Sequence, residues 1–176
     1  ATAEVLSHDG WFSTGDIGKL DADGYLWITD RKKDIIVTAG GKNIAPQPIE
    51  NLVKTNSFVL SAVMIGDKRK YPIMLVVPNM ETLRKWAEAE GMTGRTDAAL
   101  LGDIVIHNKL TGEIKKTLRE LAQYEMPKKF LILDHDFSIE AGELTPTLKV
   151  KRRVVKKIHQ ARIEELYAAG GVETVY

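Results

Sequence analysis

The sequence predicts an α+β fold: a small mixed or antiparallel sheet covered by helices and preceded by a β-hairpin. Three observations lead there. Residues 58–65 and 72–77 are nearly continuous apolar runs of strand length, separated by the polar turn GDKRKY, a pattern suited to strands covered on both faces. Apolar residues at helical spacing follow them, first as Leu83, Trp86 and Ala87, then as Leu110, Ile114, Leu118 and Leu121 within residues 109–123. Upstream, IGKLDADGYLWITDR at residues 17–31 has the alternation and the Asp23-Gly24 turn of a hairpin.

The remaining elements follow in order. The charged tetrad Asp30-Arg31-Lys32-Lys33 interrupts the pattern, and Asp34-Ile35-Ile36-Val37 opens a new strand running into Ala39-Gly40-Gly41-Lys42. Pro46 and Pro48 suit a first helical turn, Glu50 favours the positive end of the helix dipole, and Ile49, Leu52 and Val53 share one face. Phe130-Leu131-Ile132-Leu133 reads as a strand. Val154, Ile158 and Ala161, reaching towards Leu166, mark one C-terminal helix with a basic opposite face. A domain boundary falls near Lys33, giving units at 1–33 and 34–176. The single hairpin before residue 34 is too little to bury a core of its own, so it reads as the tail of a neighbouring domain.

Composition narrows the function classes. The 176 residues are 44% hydrophobic and 28% charged, as in ordinary globular proteins. A formal net charge of +1 argues against an obligate nucleic-acid binder. No apolar run reaches the roughly 18–20 residues of a membrane span, and the first residues lack a signal-peptide pattern. Cysteine is absent, which removes disulfides, thiolate metal sites and cysteine nucleophiles and is compatible with a cytoplasmic location.

Several constellations carry chemical potential, each beside a plain structural reading. In GWFSTGD, Asp16 stands behind a Ser-Thr-Gly turn; its carboxylate can accept from ribose hydroxyls or can cap the turn. Asp30 and Arg31 read as a surface ion pair. The glycine pair in TAGGKN permits close approach of a ligand to backbone, or simply makes a turn; it lacks dinucleotide and P-loop spacing. In LTPTLKVKRRVVKK, a Thr-Pro-Thr loop precedes Lys149, and further cations extend to Lys157. They suit phosphate or a solvated helix face, with Lys149 on the loop side, where it can enter a pocket. Asp134, Asp136, Glu140 and Glu143 read as surface charge, and His8, His107, His135 and His159 are scattered without metal spacing, so no metal ligand is assigned.

Four ordered stretches, GWFSTGDIGKLDADGYLWITDR, KDIIVTAGGKNIAPQPIE, AVMIGDKRKYPIMLVVPN and GELTPTLKVKRR, resemble the C-terminal part of the adenylate-forming acyl-CoA synthetase superfamily. DRKKDIIVTAGGKNIAPQPIEN and LTPTLKVKRR are most similar to its long-chain fatty acyl-CoA synthetase branch. The resemblance implies an AMP-forming long-chain fatty acid–CoA ligase: a fatty acid and ATP, with Mg2+ held mainly outside this chain, give acyl-AMP, and the acyl group passes to CoA. It implies a mobile C-terminal lid whose partner is its own N-terminal domain, and an isolated chain that is inactive.

By that resemblance Lys149 is the catalytic lysine of adenylation, Asp16 and Arg31 bind the nucleotide, and Lys33 is the hinge. Gly40 and Lys42 line the CoA channel after the lid rotates. Two departures stand out: Leu148 precedes the lysine, and Asp30 precedes the hinge arginine, where many members have Gly. Both fit the long-chain branch. Other readings are an acyl-AMP ligase using a carrier-protein acceptor and a stand-alone anion- or nucleic-acid-binding module. A lipophilic substrate is compatible with peripheral membrane contact, although no segment encodes an anchor.

Overall fold

The computed structural model describes residues 5–169. Two short hairpins come first: β1 (Asp16–Leu20) with β2 (Leu26–Arg31), then β3 (Ile36–Val37) with β4 (Asn43–Ile44), both antiparallel. Helix α1 (Pro46–Val53) leads into a three-stranded sheet ordered β5 (Val59–Ile65), β6 (Ile73–Pro78), β7 (Lys129–Ile132). Strands β5 and β6 are antiparallel, whereas β6 and β7 are parallel. A parallel pair needs a long crossover. It is supplied by α2 (Met80–Ala89), α3 (Asp97–Leu101) and α4 (Ile104–Thr117), and the chain ends on α5 (Arg152–Ile158) and α6 (Gln160–Ala168).

The period-2 alternation of β5 and β6 divides the core between the two faces of the sheet. Ala62, Met64, Met74, Val76 and Phe130 pack with Ile49 and Val53 of α1 and with Ile114 and Leu118 at the end of α4. Val63, Ile65, Ile73, Leu75 and Leu131 pack against Phe137, Val155, Ile163 and Leu166. Strand β6 is buried along its whole length, the condition its unbroken apolar run requires. At the β5–β6 turn a Cβ on Gly66 would sit 3.0 Å from Pro72 Cα and 3.2 Å from Ile36, so only glycine fits there without a shift.

Two expected helices and one expected ion pair differ, and the strand expected to open at Asp34 begins at Ile36 because Asp34 closes a turn on the Arg31 carbonyl. Helix α4 begins at Ile104, because Asp103 accepts from the Val105 N–H and caps it, and it ends at Thr117 instead of running to 123. The C-terminal helix is two helices, breaking at His159, and its buried face is Val155, Ile163 and Leu166; Ile158 and Ala161 are exposed. Lys129 holds the far end. Its buried ammonium donates to the carbonyls of Leu166 (2.7 Å) and Ala169, satisfying carbonyls at the negative pole of α6. Asp30 and Arg31 do not pair: Asp30 is buried and accepts from the Arg31 N–H (2.7 Å) and from the Gln47 N–H (3.2 Å). The Asp30 carboxylate therefore caps α1 from another element, where the N-cap residue Ala45 offers no side-chain acceptor.

One buried ion pair ties these layers together. Arg152 Nη1 and Nη2 donate to the two carboxylate oxygens of Glu50, and Nη1 also donates to the Met64 carbonyl (3.0 Å). Glu50 accepts in addition from the Met64 N–H (2.6 Å). Burial pushes the Glu50 carboxyl up while Arg152 pulls it down, and the balance leaves it raised. Removing only the arginine strands a buried carboxyl. Arg152→Met is expected to lose about 3–5 kcal/mol in denaturant unfolding, and the double variant Glu50→Leu/Arg152→Met to recover most of it.

Candidate functional site

The hairpin register puts Asp16 directly across from Arg31. Arg31 Nε donates to Asp16 Oδ1 at 2.7 Å, the Asp16 N–H donates to Thr14 Oγ1 (3.1 Å), and the Lys32 N–H donates to the Gly15 carbonyl (2.8 Å). The Asp16 carboxyl lies below the ordinary aspartate value, chiefly through the Arg31 hydrogen bond, with a further Coulombic contribution from Lys149. Asp16 and Arg31 pair across the hairpin, and the charge of Lys149, far along the chain, acts weakly on the same carboxylate. All three are exposed.

Lys149 is delivered by a tight loop. Leu144 and Val150 form an isolated antiparallel bridge; the Thr145 N–H donates to the Lys149 carbonyl (2.8 Å) and the Lys149 N–H to Thr145 Oγ1 (3.0 Å). Thr145 and Thr147 hydroxyls are 3.0 Å apart. Leu148 has φ 58°, the left-handed region that glycine occupies freely and leucine does not. The residue type departs from glycine while the backbone keeps the conformation glycine favours.

Gly40 and Lys42 belong to a separate turn, residues 38–42, joining β3 to β4. The Thr38 N–H donates to the Lys42 carbonyl, the Lys42 N–H to Thr38 Oγ1, and Gly41 has φ 74°. Ala39 N–H donates to the Arg69 carbonyl and Lys68 N–H to the Val37 carbonyl, docking the turn on the β5–β6 connection. A Cβ on Gly40 would have only Thr38 Oγ1, at 4.0 Å, within reach, so the space over it is open. Lys42 extends its ammonium over the Tyr124 ring, 5.6 Å from the centroid.

Lys33 is exposed and lines a cleft of about 230 Å³ with Asp34, Asp67, Arg152, Arg153 and Lys156. The charged segment around Lys33 makes backbone contacts of its own. The Asp34 and Ile35 N–H groups both donate to the Arg31 carbonyl, closing a turn, and Asp30 is buried beside it. Arg152, counted with the free basic side chains in the sequence, is committed to Glu50.

The fold also assembles residues that spacing does not reveal. Glu143 is 1% exposed, not surface charge, and one ligand atom each from His135, Glu143 and His159 lie within 4.8 Å of one another. Burial lowers the His159 pKa from 6.5. Among the described residues, no helix is long and apolar enough to cross a membrane.

Residues 33–170 match the family model for the AMP-binding enzyme C-terminal domain. The chain belongs to that family. It is 40% identical over 171 residues to the long-chain-fatty-acid–CoA ligase FadD15 of Mycobacterium tuberculosis, covering 95% of this chain and 28% of the ligase. Against the long-chain-fatty-acid–CoA ligase ACSBG2 of Mus musculus it is 36% identical over 185 residues, with 95% and 28% covered. Among solved structures, the A-PCP didomain of carboxylic acid reductase from Segniliparus rugosus in complex with AMP matches with a TM-score of 0.76 and 30% identity over 95% of this chain and 22% of that one. The chain thus spans just over a quarter of the length of these two ligases. The α+β fold and the adenylate-forming family expected from the sequence are borne out.

Two measurements check the geometry. In an NMR titration of the Asp16 carboxyl, the midpoint is expected below 3.8, so the carboxylate and its Arg31 pair persist above that midpoint and are lost as pH falls through it. Arg31→Ala should raise the midpoint most and Lys149→Ala by less; no change with Lys149→Ala would separate that lysine from Asp16. At the loop, Leu148→Gly relieves about 1–2 kcal/mol of left-handed strain but frees the unfolded chain by a similar amount. Its melting temperature should therefore stay near that of the parent, whereas Leu148→Val should lower it.

Proposed function

We propose that this chain is the C-terminal lid, with the closing hairpin of the preceding domain, of an ATP-dependent long-chain fatty acid–CoA ligase. The domains divide at Lys33, and the larger N-terminal domain is its permanent partner. The family membership, the two ligase relatives and the order of the motifs support this reading. The observation that carries it is the match of residues 33–170 to the AMP-binding enzyme C-terminal domain, with the Asp16–Arg31 pair on the hairpin just before it. On this reading the hairpin supplies an acid to accept from ribose hydroxyls and a guanidinium for ribose or phosphate, and the 144–150 loop supplies the ammonium.

On this reading Lys149 acts in adenylation. Its ammonium bridges the attacking fatty carboxylate and the α-phosphate, holds the two in line, and offsets charge developing on oxygen as pyrophosphate leaves. Mg2+, held mainly by the larger domain, accompanies ATP. Rotation about Lys33 then withdraws Lys149 and presents the 38–42 turn. The open space over Gly40 admits the pantetheine arm of CoA, and Lys42 leaves Tyr124 to meet a phosphate.

The hairpin supplies a second line of support. Trp11, Leu20, Tyr25, Leu26 and Ile28 are 62–74% exposed on one short segment. An apolar surface of this density is expected to be covered by another protein layer, here the N-terminal domain. The carboxylic acid reductase match, whose adenylation domain is followed by a carrier domain, keeps carrier-bound pantetheine as the competing acceptor.

The decisive experiment is Lys149→Ala in the full-length ligase. Acyl-AMP formation from ATP is expected to fall at least about 100-fold, as for removal of an electrostatic stabiliser, while thioester formation from supplied acyl-AMP stays near the parent rate. Loss of both, or of neither, overturns the assignment. Supplying free CoA or a phosphopantetheinylated carrier protein to the parent enzyme decides the acceptor.

A further inference from the structure

The chemistry above does not use His135, Glu143 and His159. They come from three different places: just past β7, the base of the Lys149 loop, and the α5–α6 junction. Glu143 and His159 are 1% and 6% exposed, yet Glu143 Oε1 and His159 Nε2 are buried without a hydrogen-bond partner. Such atoms are rare in folded proteins because each loses its hydration for nothing. They face each other at 3.8 Å, too far for a hydrogen bond. The separation is close to the edge of a tetrahedron of ligands about 2.0–2.2 Å from a zinc ion, which is about 3.4 Å.

The surroundings are organised in the manner of a metal centre. Glu143 Oε2 accepts from the Ser138 N–H at 3.1 Å, which fixes the carboxylate and turns Oε1 towards His159. Asp134 Oδ1 lies 2.8 Å from His135 Nδ1, the carboxylate–histidine arrangement that sets the imidazole tautomer and orients the ring around a metal. The imidazoles of His135 and His159 stack with centroids 5.6 Å apart. One ligand atom from each of the three residues lies within 4.8 Å of the others, and the exposed His135 side chain has room to move in to the closer spacing that a bound ion requires.

We propose that His135, Glu143 and His159 bind a single divalent transition-metal ion of the zinc type, with water completing its shell. Two imidazole nitrogens and one carboxylate oxygen suit zinc and not calcium or magnesium, which take oxygen-rich shells. The ion would clamp the base of the loop that carries Lys149: the Lys151 N–H already donates to the Glu143 carbonyl at 2.7 Å, so both strands of the loop start from the clamped residue. This is a site apart from the Mg2+ that accompanies ATP.

The test is calorimetric titration of ZnCl2 into the metal-stripped, tag-free chain at pH 7.5, with melting temperature read in parallel. One zinc per chain is expected, with a melting temperature that rises with zinc concentration. His135→Ala, at an exposed position, should leave the zinc-free melting temperature unchanged and weaken binding at least about tenfold. Glu143→Gln should do the same to binding, while His8→Ala should leave it intact. Co2+ substituted at the site should give visible d–d absorption that is absent in His135→Ala. Failure to saturate in the millimolar range, a stoichiometry other than one, or unchanged binding in His135→Ala overturns the proposal. None of these outcomes depends on ligase activity.

Discussion

The Glu50–Arg152 pair is the interaction on which the arrangement of the candidate site depends. Glu50 follows the 38–42 turn by one strand and two-thirds of a helix, while Arg152 opens the helix that begins just past the Lys149 loop. Their contact, shared with the N–H and C=O of Met64, binds both functional loops to the same point on β5. Apolar side chains of equal volume could give comparable stability, because desolvation offsets much of a buried pair's attraction. They would lack direction. A bidentate guanidinium has one orientation on its carboxylate, and that orientation fixes where α5, and so Lys149, begins.

Much of this was legible in the sequence, for identifiable reasons. The sheet core could be read because β6 is covered on both sides and its apolar run is unbroken. The Lys149 loop and the 38–42 turn could be read because each is a local motif. What escaped depends on contacts distant along the chain. Asp30 looks like a surface charge until the fold sets it under α1, and Glu143 looks like one of four scattered acids until two histidines close over it. The break at His159 escaped because the heptad-like apolar spacing continues through it, while the buried face shifts by one position. The capping Asp103 was available as a local signal for the earlier start of α4.

The Lys149 loop carries a further physical point. A leucine at φ 58° stores local strain that a glycine would not, and strained, exposed residues persist only where the surroundings over-determine them. Here the constraint comes from the Leu144–Val150 bridge and the threonine hydroxyls. Such a loop holds the Lys149 backbone in one conformation, so under the proposed role the entropy of ordering that backbone is lost on folding and not again on binding. A glycine before the lysine would reach the same geometry with less strain and more freedom.

If the lid turns about Lys33 as proposed, the hinge separates what moves from what stays. Asp16 and Arg31 would then lie on the near side of the hinge and keep their pair, while Lys149, Gly40 and Lys42 would lie beyond it and exchange places. Asp30 makes a side-chain contact across that point. Its carboxylate is on the hairpin side, and the Gln47 N–H it caps is on the lid side. A cap of this kind is worth about 0.5–2 kcal/mol, a factor of roughly 2–30 in population. That is enough to favour one orientation and too little to trap it. Glycine at this position would offer no such latch. On the proposed reading the aspartate of this chain suits a hinge that rests in one state and leaves it reversibly, with the turn formed by Asp34 and Ile35 on the Arg31 carbonyl as the segment that would open.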